Sequence, residues 1–433
     1  MLTTKGKYLY KNGKRFFYLA DTCWGAFGSI DMPDWRYYLD TRKAEGFNAI
    51  QINVLRQWDS SLPIREPFAI TTHEDGSYEY DFSKINDSYF DNAVKMLEEM
   101  QKRDITPALV LLWGNFVPYT WMSHFVKNNI MPFEQIKPYV TYVVNKFKRF
   151  NPIWIVSGDV GFGATKMNKS NPAYKYYSEI VKYYREVIAT AKSIDPDGLY
   201  TFHINGESTE VPDELFKQAD FFVYQSGHGY DGQSTAYTIP QKMRKAGYNG
   251  PIFDAELCYE GLTKMKAPTQ ERYSAFDVRR AAWRSVLSGA DAGLGYGTFG
   301  IWPWKDTARP EEKLELNFNV QLVPYDWRDC LKFRGAKDVG FIKDFISEYA
   351  SDGLDPIAEP VKDNPEIRAA QNDKYIFIYL PTPGIVDFDD LEIKVNECKV
   401  IDLKERRIIE GKLDNNTLQM PPVVEDELVI VEK

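Results

Sequence analysis

Eight short runs rich in Ile, Val, Leu and aromatic residues recur along the chain, at 15–22, 47–55, 105–113, 152–158, 199–204, 220–226, 251–256 and 293–299. Continuous apolar runs of this length suit strands buried on both faces, the condition of a parallel sheet covered by helices. Amphipathic stretches lie between them, among them 34–45, 89–102, 133–150, 174–192 and 276–288. Gly46 and Gly289 stand just past the first and last of these, where a helix C-cap favours a left-handed residue. The alternation predicts an α/β fold of βα units, a (β/α)8 TIM barrel of about 250 residues before loop insertions. A doubly wound open sheet is the alternative, but ADTCWGAFGS after the first run lacks the GxGxxG spacing of a dinucleotide turn.

Beyond about residue 350 the texture changes to short alternating runs, YIFIYLP, LEIKVN, CKVIDLK, RRIIEGK and ELVIVEK, separated by Pro, Gly, Asn and Asp. These predict a small C-terminal antiparallel β-sandwich, so the chain divides into a barrel over 1–348 and a β domain over 349–433, with the polar stretch 349–363 as the link. The net charge of −9 and the lack of a sustained basic stretch argue against nucleic acid as a partner. Cys23, Cys258, Cys330 and Cys398 show neither CxxC spacing nor a disulfide framework, which fits reduced thiols in the cytosol. MLTTKGKYLYKNGKRFF has no apolar core of a signal peptide, and no later stretch nears the roughly 18 apolar residues that span a bilayer. The expectation is a soluble cytoplasmic protein without a membrane partner, although a chain trimmed of its signal peptide would read the same.

The strand ends supply the chemistry. In order they give Asp21 and Trp24, Gln51 and Asn53, Trp113, Asp159, His203, Gln225 with His228, Glu256 with Tyr259, and Tyr296 with Trp302. Carboxylates, amides, imidazoles and flat aromatic rings are what a hydroxyl-rich sugar needs, so a carbohydrate is the expected partner and no cofactor is called for. Asp159 closes NPIWIVSGD, and Glu256 sits in GPIFDAELCYEG, each near the carboxyl end of a proposed strand, where barrel enzymes place catalytic groups. Glycoside hydrolysis uses two such acids, one to protonate the leaving oxygen and one to attack the anomeric carbon or activate water. Taken singly, each could instead be a helix N-cap or an ion-pair partner. Asp254, two residues before Glu256, is expected on the same inward face. Glu260 is expected in solvent, and Arg279 and Arg280 in ion pairs of the barrel.

Two other readings compete. His203 and His228 near strand ends would suit a metal-dependent barrel hydrolase, but the first strand has no HxH and the fourth no Lys. A barrel that binds sugar without cleaving it would keep the same inventory. No GxSxG nucleophile motif occurs.

Seven stretches together resemble the apiosidase-like catalytic domain family, to which glycoside hydrolase family 140 belongs: YLADTCW (18–24), GFNAIQINVL (46–55), NPIWIVSGD (151–159), YQSGH (224–228), DAELCYEG (254–261), DVRRAAWRSVLSGA (277–290) and GYGTFGIW (295–302). The resemblance implies a (β/α)8 barrel followed by a small β-sandwich once labelled collagen-binding, and an exo-acting glycosidase of polysaccharide breakdown. It further implies Asp159 as acid/base and Glu256 as its partner, on strands four and seven as in retaining barrel glycosidases. The substrate does not follow from the fold. The chain departs from the family's pattern at Thr298 and Phe299, where relatives commonly carry a His, and in the loop RQWDSSLPIREPF after the second strand. Both departures border the expected sugar subsite.

Overall fold

The eight strands form one parallel sheet: β1 (Tyr18–Thr22), β2 (Ala49–Asn53), β3 (Thr106–Trp113), β4 (Ile153–Gly158), β5 (Leu199–Thr201), β6 (Phe222–Gln225), β7 (Ile252–Glu256) and β8 (Gly293–Tyr296). This computed structural model describes residues 2–74, 77–123, 129–162, 174–309, 323–358, 361, 364–423 and 425–433. Every residue of these strands is buried, because one face meets the barrel interior and the other the helices. The order is β5-β4-β3-β2-β1-β8-β7-β6. Between β5 and β6 the seam is held by Asp220 N to the Tyr200 carbonyl and Thr201 Oγ1 to the Phe221 carbonyl, both 2.8 Å, so the sheet nearly closes into a barrel.

Among the described residues, seven helices longer than two turns surround it: α1 (Met32–Ala44), α2 (Asp87–Lys102), α3 (Phe133–Phe147), α4 (Tyr174–Ile194), α5 (Thr235–Lys245), α6 (Ala275–Val286) and α7 (Arg334–Tyr349). Asp31 caps α1 by accepting from Asp34 N, and Ser274 with Asp277 forms a reciprocal capping box on α6. Gly46 and Gly289 take φ of +94° and +108°, the left-handed caps expected of them. Between β5 and β6 only the short turn Asp213–Phe216 is helical. Among the described residues, no helix is long and apolar enough to cross a membrane.

Close approach in the barrel wall needs glycine. Gly293 opens β8 with φ +141°, and a Cβ there would lie 2.0 Å from the Tyr18 carbonyl oxygen.

Several boundaries differ from expectation. The first run divides into Lys14–Arg15, the last strand of an N-terminal meander, and β1. The hairpin Phe68–Thr72 with Tyr78–Ile85 lies in the long β2–α2 connection, where its pattern escaped notice. The expected polar link contributes Asp355–Ile357, an edge strand that pairs with Arg368–Gln371. From there the chain builds a six-stranded antiparallel sheet and a separate three-stranded one, with an apolar core of their own around Ile376, Ile378, Val429 and Phe388. The six-stranded sheet is tied to the barrel by Arg279 of α6, which ion-pairs with Asp426 and Glu425. Arg280 pairs with Asp277 on its own helix.

Candidate active site

At the carboxyl ends of the strands the structure brings Asp159, Glu256, His203, His228, Gln225, Tyr259, Trp24, Trp113 and Trp302 into one cluster. Glu256 owes its direction to an irregularity in β7. Register with β6 runs Tyr224 to Asp254 and then Gln225 to Glu256, leaving Ala255 as an extra residue. Such a bulge re-aims the side chains that follow it. Asp254 therefore does not share the face of Glu256. It turns to the helix layer, where Ser285 Oγ of α6 donates to Oδ2 at 2.6 Å and Ser226 N to Oδ1 at 3.1 Å.

Two imidazoles hold Glu256. His228 Nε2 is 2.7 Å from Oε1, and His203 Nε2 is 3.2 Å from Oε2, close enough to stabilise its charge though off the line of a good hydrogen bond. The Nδ1 of His203 accepts from Asp159 N at 3.2 Å, and that of His228 from Tyr259 N at 3.4 Å. Backbone donors on Nδ1 place the proton of each neutral ring on Nε2, facing the carboxylate. Burial alone would raise Glu256, but the two histidines outweigh it and bring its carboxyl down to about 2.

Asp159 follows β4 in a left-handed conformation, φ +49°, partly exposed beside the pair of imidazoles. Gln225 Nε2 donates to Oδ1 at 2.9 Å, and Trp121 Nε1 holds its carbonyl at 2.9 Å. Burial and the charge of Glu256 raise its carboxyl to about 6, against the opposing pull of His203 and Gln225. Two carboxyls driven apart in this way can hold and release a proton at different pH.

Aromatic rings wall the cluster. Trp24 meets Trp113 edge-on at 4.9 Å and His203 at 5.3 Å; Tyr259 lies 4.5 Å from His228 and 5.4 Å from Trp302. Trp24 Nε1 donates to Tyr259 Oη at 3.2 Å. Gly158 makes room for Trp113, whose ring would lie 2.2 Å from a Cβ there.

Three expected substrate contacts are placed elsewhere. Asp21 is fully buried and committed to Arg42 Nε at 2.6 Å and Tyr38 Oη at 2.7 Å, because α1 packs its arginine under β1. Tyr296 donates to Glu260 Oε2 at 2.6 Å. Gln51 is buried, with Nε2 on Thr22 Oγ1 at 3.1 Å and on the Ala255 carbonyl at 2.9 Å, so it props the bulge that aims Glu256. Glu260, expected in solvent, is buried under the start of α7, where Gly335 N donates to it at 2.9 Å, and burial raises its carboxyl to about 7.

Asp59 is the residue the sequence reading missed. It stands in the loop after β2, where burial, with smaller contributions from the charges of Asp159 and Glu256, raises its carboxyl to about 7 against the hydrogen bond from Gln57. Its only sequence signal is a Trp-Asp pair in a strand-end loop. Among the described residues, no group of three or more His, Cys, Asp or Glu is arranged to hold a metal ion, and both site histidines turn Nε2 to Glu256.

The fold is shared with known hydrolases. A solved structure described as a glycoside hydrolase superposes with a TM-score of 0.76 at 20% identity, covering 100% of this chain and 96% of the other. A glycoside hydrolase family 5 structure from Bacteroides vulgatus ATCC 8482 gives the same TM-score and identity, covering 100% of this chain and 93% of the other. No curated protein matches the sequence. The family model for the apiosidase-like catalytic domain matches residues 3–351, the whole barrel with its meander. The resemblance in the seven stretches therefore holds at the level of the family: the chain belongs to the apiosidase-like catalytic domain family.

Proposed function

We propose that this chain is a retaining, exo-acting glycoside hydrolase of short oligosaccharides or plant-derived glycosides, with Asp159 as acid/base and Glu256 as nucleophile. What supports it is the placing of the two acids at the ends of strands four and seven, Glu256 held by His228 at 2.7 Å and His203 at 3.2 Å, which favour its charge, and Asp159 held by Gln225 at 2.9 Å and raised by burial and the charge of Glu256. Between about pH 2 and about pH 6 Asp159 is protonated while Glu256 is charged. Asp159 gives its proton to the glycosidic oxygen as that bond breaks, and Glu256 bonds to the anomeric carbon. Asp159, now a carboxylate, takes a proton from water, whose oxygen displaces Glu256 and restores both groups. Exo action is what the family resemblance implies. Residues 349–433 act as a brace for the barrel, through Arg279.

A panel of chromogenic glycosides, including apiosides, arabinosides and rhamnosides, tests the reading. At least one is expected to be cleaved, and Asp159→Asn and Glu256→Gln are each expected to abolish turnover without unfolding the protein. Near wild-type turnover in either variant would remove the assignment. Binding of a sugar by the native protein with no product over long incubation would favour a non-catalytic binding protein.

A further inference from the structure

The loop after β2 sets a third carboxyl, Asp59, beside Trp58, which packs on the same Trp121 that holds the Asp159 carbonyl. Asn53 Nδ2, at the end of β2, donates to Gln57 Oε1 at 3.0 Å, and Gln57 Nε2 donates to Asp59 Oδ1 at 2.6 Å. With its oxygen occupied, the Gln57 amide presents its NH2 to Asp59, so a relay rooted in a barrel strand fixes the carboxyl. Gln57 is the one side chain that donates to Asp59 among the described residues. The rest of the loop is seated against the site. Trp58 lies edge-on to Trp121 at 5.9 Å, Trp121 holds the Asp159 carbonyl, and Ser61 N donates to the Pro303 carbonyl at 2.9 Å. Pro303 follows Trp302, whose indole N–H is buried without a protein partner among the described residues.

Asp159 and Glu256 supply both groups that cleavage needs. Charging this third carboxyl would add to the charge of Glu256, and burial with those neighbours makes that costly, so below about pH 7 Asp59 stands protonated until a ligand's donors reach it. Hydroxyl donors would relieve it. A carboxyl reaches two adjacent hydroxyls at once, accepting from one and accepting from or donating to the other, and tryptophan faces suit the CH surface of a sugar. We propose that Asp59 grips a vicinal diol of the sugar held between Asp159 and Glu256, and so determines which glycone is cleaved. The role rests on the glycosidase reading above. The competing role for Asp59 is that of proton donor in place of Asp159.

Two aryl glycosides of one sugar separate these roles: a phenyl glycoside, whose leaving group needs a proton, and a 2,4-dinitrophenyl glycoside, whose leaving group does not. Asp59→Asn is expected to lower kcat/KM by about ten- to a hundredfold on both, the size of one or two hydrogen bonds to a charged group, with most of the change in KM. Removing one hydroxyl of the diol from the sugar should then cost the variant far less than it costs the native protein. A loss confined to the phenyl glycoside would make Asp59 the proton donor and overturn the proposal. Unchanged kcat/KM on both would overturn it as well. Thermal unfolding measured alongside separates loss of fold from loss of binding. Glu256→Gln, assayed in parallel, must be inactive on both substrates; activity there would defeat the glycosidase reading whatever Asp59 does.

Discussion

Replacing Arg279 by Met should loosen the join between the barrel and the C-terminal sheets by a calculable amount. Arg279 is 1% exposed. Its Nε donates to both oxygens of Asp426 at 2.9 and 3.0 Å, Nη1 to Asp338 Oδ2 at 2.9 Å, and Nη2 to Glu425 Oε2 at 2.6 Å. Without it Asp338 still has Arg406 at 2.9 Å, whereas among the described residues Asp426 keeps Tyr379 Oη at 3.0 Å and no cation. The loss therefore centres on one stranded carboxylate, and breaking one side of a buried pair costs about 3–5 kcal/mol. That is a large part of the roughly 5–15 kcal/mol that holds a domain together. Burial raises the Asp426 carboxyl while Arg279 and Tyr379 pull it down, so removing Arg279 lets burial carry it further above its unfolded value. A group raised in this way favours folding when protonated, and the benefit is lost as pH climbs through the raised pKa. The variant's deficit should accordingly be smaller at about pH 5 than at about pH 7.5, as measured by equilibrium urea unfolding. Arg279→Met with Asp426→Leu leaves no unpaired charge on Asp426 and should recover part of the loss. A deficit below about 1 kcal/mol, or a double variant whose loss is the sum of the singles, would refute the reasoning.

Two further outcomes follow from the site and the barrel wall. In the proposed mechanism hydrolysis needs Glu256 charged and Asp159 protonated, so kcat/KM should be bell-shaped, rising through about 2 and falling about tenfold per pH unit above about 6; a rate still climbing at about pH 8 would contradict the roles. Gly293→Ala forces a Cβ to 2.0 Å from a carbonyl oxygen at φ +141°, and soluble yield should collapse or stability fall by more than about 4 kcal/mol, as read by circular dichroism melting. A wild-type melting curve would show that the β1–β8 contact yields.

The strands were legible because each is buried on both faces, which leaves an unbroken apolar run, and Asp159 and Glu256 stood out as the acids that end two of them. What escaped depends on contacts that no local pattern encodes. A single extra residue, Ala255, turns Asp254 to the helices and Glu256 to the site, and alternation alone would put both on one face. Asp21 has the residue type of a site acid, yet Arg42, 21 residues on, claims it from within the helix layer. Glu260 is covered by Gly335, 75 residues away, at the start of a helix. Asp59 lies in an irregular loop where periodicity says nothing, and only the fold shows the Asn53–Gln57 relay that fixes it.

The bond between sugar and protein is the most direct test. A 2-deoxy-2-fluoro glycoside with a dinitrophenyl leaving group, made from the sugar that the panel shows to be cleaved, forms the glycosyl-enzyme but slows its hydrolysis, so the adduct survives for mass spectrometry. Intact mass should show a single adduct, and peptide mapping should place it on Glu256. Cleavage of the parent glycoside with the label on Asp159 or Asp59, or with no adduct and an inverted anomeric product, would contradict the assignment.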